Sequence, residues 1–443
     1  MSIQLSNHFT YKKLFYFCLS PVVMMVFTSI YGVVDGFFIS NFVGKTPFAA
    51  VNLVMPCIMI LGGVGFMIGT GGSALVAKTL GEGDQEKAER YFTMMVELTV
   101  ILGLLLSAVG IVWIRPISCL LGATQAMIGD CVVYGRILLA FNTVFMLQNV
   151  FQTFLTTAEK PKLGLAVTTT AGVINIVLDA LFIAVFDWGV AGAAVATGIG
   201  ECVGGILPLL YFSRPNSSRL RLRKTRMDAR ALRDACINGS SELMSNISAS
   251  LISIVYNLQL LRFAGENGVA AYGTIMYVQF IFLAIFIGYT IGAAPIISYH
   301  YGAGNHGELK NLLRKSLCIV SVTGVLMMVL AWGLAGPLAK IFVGYDEELF
   351  QLTRHAFRLF AFSFVLAGVN IFASSFFTAL NNGGVSAAIS FLRTLVFQVL
   401  CVLLLPVFLG LDGIWGSITV AEVLAFGVSL LFLAANRKKY HYA

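Results

Sequence analysis

Apolar stretches of more than twenty residues alternate along the chain with short clusters of glycine, proline and charge. The stretches are too long for core strands and too uniformly apolar for surface helices. A membrane helix needs about 20 apolar residues to cross about 30 Å of hydrocarbon. The segments 14–42, 48–78, 92–114, 132–157, 163–186, 189–212, 236–262, 268–300, 314–335, 355–379, 384–409 and 413–435 all meet that length. The pattern therefore predicts an all-α polytopic membrane protein with twelve transmembrane helices. Several segments exceed the minimum, so tilt or protrusion is expected. The first apolar run continues to Phe42 without a small-residue cleavage site, so it is expected to be a retained span and not a removable signal peptide.

The pattern also repeats at an offset of 221 positions. Phe42-Val43-Gly44 answers to Phe263-Ala264-Gly265, Gly81-Glu82-Gly83 to Gly302-Ala303-Gly304, Ala158 to Ala379 and Glu201 to Glu422. After a slip of three residues, Gly189 and Gly192 answer to Gly413 and Gly416. Six spans separate equivalent positions, so the halves share one orientation and should be related by an axis along the membrane normal. Two pseudo-symmetric six-helix lobes are expected, over 1–213 and 236–443, joined by a basic linker at 214–235. Parallel repeats of this kind occur in transporters, with substrate bound between the halves.

Composition narrows the classes further. The 443 residues are 58% hydrophobic and 11% charged, with mean hydropathy +0.87, against about 25% charged in soluble proteins. A soluble enzyme, a disordered tail and a fibrous repeat are excluded. The net charge of +8 is mostly an orientation signal. Of the 29 lysines and arginines, all but Lys45, Arg115, Arg136, Arg262, Lys340, Arg354, Arg358 and Arg393 lie on the side of the two termini. Because short cytoplasmic loops are enriched in these residues, both termini are expected in the cytoplasm, and the run 219–233 is a linker, not a nucleic-acid patch. Eight cysteines and five histidines are scattered singly, with no zinc or redox spacing. The glycines of 61–72 lie inside a span, and neither GxxxxGK[ST] nor HExxH occurs, so no cofactor and no ATP chemistry are expected. No obligatory protein partner is implied; the medium is the lipid bilayer.

An acid at the centre of a membrane helix costs about 2.5–3.5 kcal/mol on insertion scales, so each one needs a partner or a task. Asp35 lies about seven residues from the far end of the first span, or about 10 Å at 1.5 Å per residue. On the fifth span Asn175 and Asp179 are an i,i+4 pair on one face, with Asp179 at matching depth. Thr197 on the sixth span is about eight residues in. Tyr31 shares the face of Asp35, one turn deeper. If these groups converge, two carboxylates in a poorly solvated cavity repel each other. A bound proton, or a hard cation such as Na⁺ with carboxylate, amide and hydroxyl ligands, would relieve that repulsion. The other intramembrane charges are less determined. Glu201 and Glu422 are repeat-equivalent, which favours packing; Glu242 faces solvent or a substrate; Arg393 pairs with an acid or contacts a substrate anion.

These features together resemble the multidrug and toxic compound extrusion (MATE) family in its bacterial form. The resemblance rests on twelve spans in two halves, the Gly-x-Gly loops at 81–83 and 302–304, and the aspartate of TSIYGVVDGFFIS. It implies two lobes in a V that export organic, amphipathic cations in exchange for H⁺ or Na⁺ by alternating access. In the branch whose amino-terminal lobe binds the coupling ion, the matching positions are Asp35, Asn175, Asp179 and Thr197. A fourth-helix asparagine of that branch falls near Gln152. Another branch uses acids on helices seven and ten; Glu242 matches the first, but 365–380 holds no acid. Tyr31, Gln152, Glu242 and Arg393 are the candidates for the substrate cavity, and Pro21 and Gly32 for bending of the first helix. No metal beyond Na⁺ is implied. The superfamily also contains flippases of lipid-linked oligosaccharides, which leaves export of a lipid-linked or anionic metabolite as the alternative. The expected location is the bacterial inner membrane.

Overall fold

The computed structural model describes residues 3–442 other than Tyr345. Twelve helical spans follow one another: α1 (Tyr11–Val43), α2 (Lys45–Gly81), α3 (Gln85–Leu120), α4 (Ile128–Thr157), α5 (Pro161–Val185), α6 (Gly189–Ser213), α7 (229–264), α8 (266–302), α9 (His306–Val343), α10 (347–379), α11 (Gly383–Leu409) and α12 (Leu411–Tyr440). Among the described residues there is no strand. The chain is a multi-pass membrane protein. Its outward surface is a sheath of exposed leucine, valine and phenylalanine, with Trp113, Trp188 and Trp332 exposed near the end away from the termini, where aromatic rings anchor a span at the lipid interface.

Local chemistry explains where helix ends depart from the apolar pattern. α3 begins at Gln85 and α9 at His306, about two turns before their apolar runs, because the Asp84 and Asn305 side chains accept hydrogen bonds from Lys87 N and Glu308 N. Such caps satisfy donors that a helix start leaves open. α7 and α8 are almost continuous, divided only at Gly265 (φ 60°, ψ −149°), a conformation that glycine alone adopts at little cost. α10 starts at Glu347, earlier than its apolar run, and bends by 48° between Ala361 and Phe364. The linker is shorter than expected. Arg214–Asp228 carries no helix, and α7 starts at Ala229 with Asp228 as its cap. This linker packs against the amino-terminal lobe: Leu220 is fully buried, Arg223 pairs with Glu89, and Arg219 reaches Glu159 at 3.3 Å.

The internal repeat is visible in the contact between the lobes. A Cβ built on Gly71 would lie 1.9 Å from Ala235 O and 2.6 Å from Gly239 N, and one on Gly239 would lie 1.9 Å from Met67 O. Shifted by 221, the same crossing recurs as Gly292 against Cys18 and Gly288 against Val22. Gly81 abuts Tyr299 O, and its equivalent Gly302 returns the contact on Lys78 O. Exchange of partners under the repeat shift is what a pseudo-two-fold axis between the lobes requires. All these approaches lie in the half of the bundle that carries the termini, so the lobes are closed at that end.

A segment before α1 reinforces the closure. Leu5 and Phe9 are fully buried. Glu308 at the start of α9 accepts from Phe9 N at 2.9 Å, from Asn311 Nδ2 at 2.8 Å and pairs with His8 Nδ1 at 2.6 Å. On the other lobe, Leu5 N donates to Glu159 Oε1 at 2.8 Å. Residues 3–9 therefore strap one lobe to the other. Replacing Glu308 by alanine removes three bonds to one carboxylate, about 1–3 kcal/mol of local stability for charged acceptors. Limited proteolysis should then cut within residues 3–10 several-fold faster than in wild type; unchanged cleavage would show that the strap does not depend on Glu308.

Candidate functional site

α1, α5 and α6 pack side by side in the amino-terminal lobe, with α4 behind them. Small residues permit this: a Cβ on Gly172 of α5 would lie 2.9 Å from Tyr31 Cδ1, and one on Gly204 of α6 would lie 2.6 Å from Gln148 Cδ. The packing brings together side chains that sequence depth had only matched. Asp35 is 7% exposed, Asn175 2% and Asp179 0%. The two aspartate carboxyl groups lie within hydrogen-bonding reach of each other. Asn175 Nδ2 donates to Thr197 Oγ1 at 3.5 Å. Tyr31 thus packs on α5, and Gln148 of α4 packs on α6.

The balance of donors and acceptors gives the cluster its character. Asp35 Oδ1, both oxygens of Asp179, Asn175 Oδ1, Gln148 Oε1 and Glu201 Oε2 are buried and accept no hydrogen bond from the protein. Each buried acceptor left without a donor costs about 1–3 kcal/mol. Side chains serving only as glue between helices would be paired, so this concentration of bare oxygens argues for a site that takes up a cation. Asp179 also ends the regular part of α5 and begins a π-helical turn, Ala180–Val185, a distortion often found at functional sites. The cluster lies in the half of the lobe away from the closed end.

The remaining candidates are distributed differently. Gln152 is buried one turn along α4 from Gln148, and its Oε1 is also without a donor; the α4 residue packed on Gly204 of α6 is Gln148. Glu242 lies outside the cluster, in a cavity of about 30 Å³ between the lobes beside Thr70, Thr153, Thr290 and Thr378, room for about one water molecule. Arg393 is held in an ion pair. Its Nε donates to Glu422 Oε1 at 2.9 Å and Oε2 at 3.0 Å, and its terminal nitrogen lies 2.8 Å from Oε1. Asn370 Nδ2 donates to the same carboxylate at 2.7 Å. The guanidinium is thus committed to an acid within the carboxyl-terminal lobe. Pro21 lies at the contact of α1 with α8, while Gly32 is exposed; α1 is an unbroken helix through both.

Gln148 was not singled out from the sequence, and Glu201 was named there without a place in the cluster. Glu201 is one turn from Thr197 on the same face of α6, which was a legible signal, but its symmetry with Glu422 had favoured packing for both. Their surroundings differ: Glu422 is neutralised by Arg393, and Glu201 Oε2 has no donor.

Two parallel six-helix repeats, with an unsatisfied acceptor cluster buried in one of them, define a polytopic membrane transporter. The chain belongs to the MatE family, whose profile matches residues 21–181 and 243–403, one match in each lobe. It is similar to the multidrug export protein MepA of Staphylococcus saprophyticus, with 24% identity over 431 residues, 97% of this chain and 94% of that protein. MepA of Staphylococcus aureus strain MRSA252 is 22% identical over 433 residues, with the same coverage. A solved structure of an outward-facing multidrug resistance MATE family transporter superposes with a TM-score of 0.93 at 22% identity, covering 100% of this chain and 99% of that one. The protein is a transporter and not an enzyme.

Proposed function

We propose that the protein is a secondary active antiporter that exports organic, amphipathic cations in exchange for H⁺ or Na⁺. The observation that carries this is the set of buried oxygens without donors around Asp35, Asn175 and Asp179, which favours a mobile cation over a fixed partner. No cofactor beyond the coupling ion enters the reading, and no partner beyond small-molecule substrate and bilayer. The charge distribution supports a bacterial inner-membrane protein with both termini cytoplasmic. On that orientation the closed end is cytoplasmic and the conformation is outward-facing, in keeping with the outward-facing relative of similar fold.

The cycle follows from charge. Two carboxylates within hydrogen-bonding reach repel when both are ionised. A proton shared between them, or Na⁺ held by Asp35, Asp179, Asn175 and Thr197, removes that repulsion and allows α1 to pack more closely on α5. Substrate and coupling ion favour different arrangements of the same lobe, which is the requirement for antiport. One elementary charge crossing 100 mV supplies about 2.3 kcal/mol, so one ion per cycle drives useful export. The anionic-substrate alternative relied on Arg393 as a free deep cation, and its pairing with Glu422 removes that support.

A cellular test is direct. In bacteria lacking their own efflux pumps, expression should lower the accumulation of ethidium several-fold, and dissipating the coupling gradient with a protonophore or a sodium ionophore should restore it. Accumulation equal to that of empty cells, with protein present in the membrane, would contradict export of organic cations.

A further inference from the structure

Glu201 and Glu422 occupy the same position in the two repeats, yet only one has a cation of its own. In the carboxyl-terminal lobe the Arg393 guanidinium binds both oxygens of Glu422, and Asn370 adds a further donor. In the amino-terminal lobe, the position answering to Arg393 at the offset of 221 is Gly172, which offers no charge. Glu201 Oε2 is buried without a donor. Glu201 lies one turn from Thr197, which accepts from Asn175, and a Cβ on the neighbouring Gly200 would lie 3.2 Å from Asn175 Cβ; among the described residues no ion pair is formed with Glu201. One lobe therefore carries a tethered cation, and the other presents the same acid in a lobe that also buries Asp35 and an unpartnered Asp179.

We infer that Glu201 is a third carboxylate of the coupling site, so that each cycle exchanges one more monovalent cation than the Asp35–Asp179 pair alone would. The inference deepens the antiport reading and rests on it. Three acids with no internal counter-charge are costly to bury, and a mobile cation at Glu201 fills the role that Arg393 fills at Glu422. The carboxyl-terminal lobe is correspondingly a lobe with its cation built in, which explains why loading is confined to one side of the pseudo-two-fold axis.

The stoichiometry can be measured as an equilibrium quantity. Purified protein in proteoliposomes, with the membrane potential clamped by potassium and valinomycin, is given radiolabelled tetraethylammonium and a tenfold gradient of whichever ion drives wild type. Loss of one coupled ion per substrate should lower the steady-state accumulation ratio tenfold in Glu201→Gln, while Glu201→Asp retains the wild-type ratio. A Glu201 that only packs would slow uptake or reduce the yield of folded protein but leave the ratio unchanged, and that result would overturn the inference. Should Glu201→Gln carry nothing, the count is read as ions released per tetraethylammonium bound by solubilised protein: one fewer than wild type supports the third carboxylate, an equal number overturns it. Failure of wild type to accumulate substrate under either gradient would instead reject the antiport reading itself.

Discussion

Asp179→Asn is expected to abolish gradient-driven transport and, at the same time, to make the protein more resistant to heat. Asp179 is fully buried, and neither of its oxygens accepts a hydrogen bond. Asparagine has nearly the same shape, removes one of two facing negative charges and offers an NH₂ donor to Asp35 Oδ1. Relief of one unsatisfied buried acceptor is worth about 1–3 kcal/mol, so thermal unfolding in detergent should move upward. Transport should fall to the level of protein-free liposomes, because a neutral amide binds neither a proton nor Na⁺ in exchange. A stabilised protein that no longer pumps is the signature of a residue kept for function against stability. A destabilised variant that still pumps would place Asp179 among the structural residues.

Arg393→Leu should have the opposite character: a large loss of stability with no specific effect on coupling. It leaves Glu422 buried beside Asn370 with its charge uncompensated, and breaking a buried pair from one side costs about 3–5 kcal/mol. Low yield of folded protein and early unfolding are expected. The double variant Arg393→Leu with Glu422→Leu removes both charges and should recover most of the stability, since well-packed apolar pairs often replace buried ion pairs without loss. Transport of organic cations should return with it. If the double variant folds well and transport stays absent, Arg393 has a role beyond its pairing with Glu422.

The contrast between Asp179 and Glu422 marks the limit of what the sequence carried. Spans were legible because each must be apolar over a fixed length, and the repeat was legible in part because Gly81 and Gly302 leave no room for a Cβ at the lobe contact. Helix ends were displaced where Asp84 and Asn305 extend a helix into water beyond its apolar length, which hydropathy does not register. Asp35, Asn175, Asp179 and Thr197 could be grouped by depth, since a helix converts residue number into distance. Depth does not give azimuth. Gln148 and Gln152 lie one turn apart on α4, and only packing distinguishes the one that meets Gly204 of α6. Glu201 was obscured by its repeat partner: equal positions were taken to mean equal roles, whereas the carboxyl-terminal lobe supplies Arg393 and the amino-terminal lobe does not. Arg393 itself was visible as a deep charge, but its partner is a residue 29 positions away on another helix, a contact that no periodicity reveals.

The same physical argument separates the two kinds of buried charge in this protein. Where the carboxylate is paired, as in Glu422, Glu308 and Glu89, it ties helices or the linker in place. Where it is bare, as in Asp35 and Asp179, the folded state bears a cost that a mobile cation lowers. Asp35 and Asp179 lie in one lobe, away from the closed end, where a bound ion can be exchanged from the open side.

The most direct test of this account is uptake of radiolabelled tetraethylammonium into proteoliposomes under an imposed proton gradient and, separately, an imposed sodium gradient, for wild type and for Asp35→Asn combined with Asp179→Asn. The account predicts that one of the two gradients drives accumulation in wild type and that neither does so in the double variant, which remains folded. Equal accumulation by wild type and double variant would contradict it, since the carboxylates could not then be the groups that couple the ion to the substrate.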